Sequence, residues 1–119
     1  MRCLVSVILS AVLAVPALAD PAVIEAVAVR AEPGGWRFDV TVSHGDTGWD
    51  DYADGWRVVA EDGTVLGTRE LLHPHEDEQP FSRSLTGVAI PAGRGRVYVE
   101  ARTKVEGWGS ARFPVDLAE

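Results

Sequence analysis

From Trp36 to Ser43 the chain alternates strictly, with Trp36, Phe38, Val40 and Val42 apolar and Arg37, Asp39, Thr41 and Ser43 polar between them. A period of two puts one set of side chains against a core and the other in solvent, so this segment is a half-buried β-strand. The pattern returns along the chain. Ala22 to Arg30 reads as a first strand, turned into 36–43 by Pro33-Gly34-Gly35, where proline fixes one dihedral and glycine permits positive φ. Trp56 to Glu61 and Thr64 to Leu72 form a hairpin around the two-residue signal Asp62-Gly63. Phe81 to Ile90, Arg96 to Lys104 (Val97, Val99 and Ala101 inward, Tyr98 outward) and Ala111 to Leu117 complete the set. No stretch carries a convincing apolar period near 3.6. Seven short strands with frequent turns predict an all-β, seven-stranded, two-sheet antiparallel sandwich in a single domain.

Residues 1–19 have a different character. Arg2 precedes an apolar run from Leu4 to Leu13, and Ala17 and Ala19 supply the small residues of a cleavage site before Asp20. That is the layout of a secretory signal peptide, and the run is short of the roughly 20 residues that span a bilayer. The expected organisation is therefore a signal peptide over 1–19 and one β-sandwich over 20–119, periplasmic or secreted, with no stable membrane insertion after cleavage. The single cysteine, Cys3, lies inside the leader, so the mature domain has no disulfide and must be held by its core.

Net charge sharpens the reading. The 119 residues carry 11 basic and 18 acidic side chains, for a formal charge of -7, and removing the leader takes away only Arg2. A surface of that sign repels phosphate backbones, which excludes nucleic acid as the expected partner. Catalytic motifs are also missing. Ser43-His44 is adjacency rather than a triad, and neither a Gly-x-Ser-x-Gly elbow nor a glycine-rich phosphate loop occurs. The expectation is a non-enzymatic, monomeric domain.

Two resemblances accompany this reading. Ser84-Leu85-Thr86-Gly87-Val88, Ile90-Pro91-Ala92-Gly93, and Val97-x-Val99-x-Ala101 ending at Gly107-Trp108-Gly109 resemble the later strands of fibronectin type III and related immunoglobulin-like domains, with Gly95 where those usually place a tyrosine. Gly48-Trp49-Asp50 to Tyr52-Ala53-Asp54, Asp62 to Thr68, Leu72-His73-Pro74-His75 and Glu78-Gln79-Pro80-Phe81 are similar to small uncharacterised exported proteins of alphaproteobacteria. The first resemblance implies an immunoglobulin or fibronectin III-like sandwich; the second implies export and assigns no activity.

Counting strand reversals places the loops 44–54, 73–80 and 104–110 at one pole of the sandwich, which gathers all three histidines there. Trp49, Tyr52, Trp108 and Gln79 at this pole are the expected contact surface for a periplasmic protein or small ligand. A second reading uses His73-Pro74-His75: Pro74 keeps the segment extended, so two imidazoles could share one Cu or Zn ion, with His44, Glu76 or Glu78 completing the set. His44 also continues the inward parity of strand 36–43, which makes it a hydrogen-bonded histidine at the core's edge. The third reading is a structural accessory domain whose loops only pack together. An EF-hand starting at Asp46 is excluded, because its third position would be Gly48 and its twelfth Arg57.

Overall fold

A computed structural model describes residues 20–117. The leader and Cys3 lie outside the described residues. The chain folds as β1 (Val23–Glu32), β2 (Gly35–Ser43), β3 (Ala53–Val59), β4 (Val65–Glu70), β5 (Phe81–Val88), β6 (Arg96–Thr103), β7 (Gly107–Trp108) and β8 (Phe113–Asp116), with no helix among the described residues. One antiparallel sheet has the order β1-β2-β5; the other has the order β4-β3-β6-β7, with β8 also on β6. The fold is the expected two-sheet sandwich with one strand more: β8 is the expected seventh strand, and the two-residue β7 lies in the stretch 104–110 expected to be loop. In the constant-type immunoglobulin order the fourth strand belongs to the sheet of the first, second and fifth; here β4 pairs with β3 instead.

The alternating residues behave as their spacing demands. Phe38, Val40 and Val42 of β2 meet Trp56 and Val58 of β3, Phe81 and Val88 of β5, Val97 and Val99 of β6, and Val115 of β8 in one buried cluster. Each large side chain removed from water contributes about 1.5–3 kcal/mol, which is how a domain without disulfides is held. At the β1–β2 turn, Gly35 has φ +143° and a side chain there would run into the Gly87 backbone at 2.8 Å, so only glycine fits.

Strand limits differ from expectation for local reasons. β3 begins at Ala53, because Gly55 admits the Arg102 guanidinium against the backbone and Asp54 bonds to it at 2.9 Å, so this polar stretch is strand rather than loop. The Asp62-Gly63 turn sits within a wider connection, closed by Ala60 N–H to the Thr64 carbonyl at 2.8 Å and Gly63 N–H to the Ala60 carbonyl at 2.9 Å. A register shift beside Val58/Val59 leaves Leu66 as the extra residue on β4, and both valines are buried.

Candidate functional site

The connections β2–β3, β4–β5 and β6–β7 do converge at one pole, and Asp46 ties two of them to the sandwich. Its side chain is fully buried. Oδ1 accepts the Ala53 N–H at 3.0 Å and bonds His44 Nδ1 at 2.7 Å, and Oδ2 accepts the His75 N–H at 2.7 Å. One carboxylate thus joins the end of β2, the start of β3 and the β4–β5 loop. Gln79 reinforces the join, accepting the His44 N–H at 3.0 Å and donating to the His75 carbonyl at 2.9 Å. The third loop is attached by Lys104 N–H to the Tyr52 carbonyl at 3.0 Å.

His44 is the core-edge histidine that its parity predicts. Its Nε2 lies 2.8 Å from the Asp20 carbonyl while Nδ1 faces Asp46. Both ring nitrogens therefore stand at hydrogen-bond distance from a protein oxygen. His44 is turned to the core edge with both nitrogens engaged, away from the open side of His73 and His75.

His75 is buried and stacked on Phe81, with ring centroids 3.9 Å apart. Burial, followed by the nearby Arg83 and His73 charges, holds its pKa below the ordinary imidazole value, against the opposing pull of Glu78 and Asp46. Arg83 Nη2 stands 3.4 Å from His75 Nε2, where the guanidinium donates and the imidazole accepts. His73 is exposed, its ring 4.5 Å from that of His75. Glu76 and Glu78 are exposed beside them and, with Trp49 and the two histidines, line a shallow open concavity. Among the described residues no group of three or more His, Cys, Asp or Glu side chains is arranged to hold a metal ion.

The four expected contact residues separate into different roles. Trp49 is 64% exposed and rests edge-on against Tyr52, with centroids 5.7 Å apart. Tyr52 is buried and supports the surface from beneath, whereas Gln79 is exposed with its amide bonded to His44 and His75. Trp108 does not join them. It sits in β7 opposite Arg102, with the Arg57 guanidinium 3.9 Å and that of Arg102 5.0 Å from its ring, as part of a stack on the outer sheet face. Glu100, which Arg57 and Arg112 grip at 2.8 and 3.0 Å, is buried under the same layer.

Sequence reading missed the other exposed apolar side chains of this pole. Among the described residues the exposed large hydrophobics are Val23, Trp49, Val65, Leu72 and Val105. Four of the five stand at the histidine pole, Val23 by its pairing with Ser43, and only Val65 is at the other. Asp50, Glu76, Asp77, Glu78 and Glu106 are exposed at the same pole. A separate, mainly apolar cavity of about 370 Å³ lies where Pro21–Ile24 passes Ala101 and Phe113.

No family model matches the chain, and no solved structure matches it. A protein of the halophilic archaeon Halomicrobium mukohataei, described as "Putative lipoprotein", is 43% identical over 79 residues, which is 66% of this chain. The match spans 38% of that protein's length, and it lies in an archaeon, so the expected resemblance to alphaproteobacterial proteins gains no support from it.

Proposed function

We propose that this protein is an exported, non-enzymatic β-sandwich module that recognises an extracytoplasmic protein partner through its histidine pole. One observation carries the reading: the exposed apolar side chains Trp49, Leu72 and Val105 share that pole, the first two on loops that a buried carboxylate pins in place. A pinned loop loses little conformational freedom on binding, and an exposed tryptophan supplies contact area. The acidic rim selects a partner with a basic border to its apolar patch. Export is supported by the leader-like residues 1–19 and by the description of the relative as a lipoprotein. A Cu or Zn site on His73 and His75 gains no support, since Arg83 occupies the His75 Nε2 lone pair and places a positive charge beside it.

The test is affinity capture from the extracytoplasmic fraction of the producing cell. Wild type and Val65→Ser should retain the same partner, and Trp49→Ala with Leu72→Ser should lose it at unchanged thermal stability. Equal retention by all three proteins would remove the pole from the function.

A further inference from the structure

Asp51 is the one acidic residue of the β2–β3 loop that has a buried oxygen and no use for it. Its backbone is fixed, with the Thr47 N–H donating to its carbonyl at 3.0 Å and its own N–H donating to the Gly48 carbonyl at 3.2 Å. Its side chain is mostly covered, and Oδ1 is shielded from solvent with no hydrogen-bond partner. A buried carboxylate oxygen left unpaired is costly, so a donor is expected to reach it. His44 Nε2 stands 3.8 Å from it, and that nitrogen is already bonded to the Asp20 carbonyl at 2.8 Å. Asp20 and the orphaned oxygen thus face the same imidazole nitrogen, and the Asp20 α-nitrogen is three covalent bonds from the carbonyl oxygen that His44 grips.

Asp20 is also the residue that follows the expected cleavage point. Hydrolysis of the Ala19–Asp20 peptide bond adds one water, leaving a carboxylate on Ala19 and an α-ammonium group on Asp20. We infer that this new α-ammonium group docks on the Asp51 carboxylate, so that removal of the leader completes the hydrogen bonding of the loop pole. The ammonium brings three donors and a positive charge to a site that lacks one donor. His44 sets the position of Asp20, and Asp51 receives the charge. Processing and the binding surface are then linked, because Asp51 and Trp49 share one short loop. The inference rests on the reading of residues 1–19 as a leader.

The experiment uses residues 20–119, which contain all eight strands of the described residues. Three forms are compared by urea unfolding at pH 7: a free α-amine on Asp20, an N-acetylated Asp20, and a Gly-Ser extension, each also carrying Asp51→Asn. The His44 bond to the Asp20 carbonyl is retained in all. The free-amine form should have a folding constant about three- to tenfold larger than the two blocked forms, and Asp51→Asn should erase the difference. Equal constants, or a difference that survives Asp51→Asn, would overturn the docking. Intact mass of the exported product tests the leader reading separately: a start other than Asp20 refutes that reading whatever the urea data show.

Discussion

Replacing Asp46 by alanine should be among the most damaging single changes outside the apolar core. The substitution strands two backbone N–H groups, of Ala53 and His75, and the Nδ1–H of His44, all in a site closed to water. Each buried donor left without a partner costs about 1–3 kcal/mol. Three such donors share one site and their costs overlap rather than add in full, so the expected loss is about 3–5 kcal/mol. For a domain of this size that lowers the melting temperature by more than about 12 °C and the urea midpoint by about 1 M or more. Asp46→Asn keeps the shape but turns one acceptor into a donor facing a donor, and should cost about 2 kcal/mol. Asp50→Ala, four residues on and exposed, should stay within about 0.5 kcal/mol. The assay is urea unfolding followed by tryptophan fluorescence, with the slope checked between variants. A loss below about 1 kcal/mol for Asp46→Ala at unchanged slope would refute the idea that this carboxylate pins the loops.

Other outcomes follow from the same contacts. Because the folded-state pKa of His75 is lowered, the unfolded chain binds more protons below its ordinary value near 6.5, so stability is fully present above that pH and falls as pH drops through the lower folded value. Urea midpoints at pH 7.5, 6.5 and 5.5 should show this slope, and His75→Gln should flatten it. Gly35→Ala should destabilise by more than about 1 kcal/mol in thermal unfolding, since a side chain there meets the Gly87 backbone, whereas Gly95→Ala, with open space around it, should be close to neutral. Trp108→Ala should cost about 1–2 kcal/mol through loss of the arginine stack while leaving partner capture intact, which separates it from Trp49→Ala.

The strands were readable because they depend on local alternation, and residues 36–43 show that dependence most clearly. The pairing of β4 with β3 was readable as well, from the Asp62-Gly63 hairpin signal, whereas the placing of β5 beside β2 and of β3 beside β6 is decided across the fold. Glu100 illustrates the gap: its parity points outward, yet it is buried because Arg57 and Arg112 close over it from β3 and the segment before β8. Trp108 looked like a loop residue because a two-residue strand is too short to have a period. The convergence of the loops at one pole could be counted from strand reversals, and the core-edge role of His44 from its parity. The work of Asp46 could not, because it needs His75 brought from 29 positions along the chain. Leu72 and Val105 carried no motif, and their exposure depends on where β4 and β6 stop.

Site-specific photocrosslinking in the producing cell would show whether the histidine pole is where this protein meets its partner. A photoreactive residue is placed in turn at Trp49, Leu72 and Val65 of the full chain, and adducts are resolved by mass. Discrete adducts from positions 49 and 72, with none from 65 at the opposite pole, are the expected result. Absence of adducts from 49 and 72, or equal adducts from all three, would contradict a binding surface at this end of the sandwich.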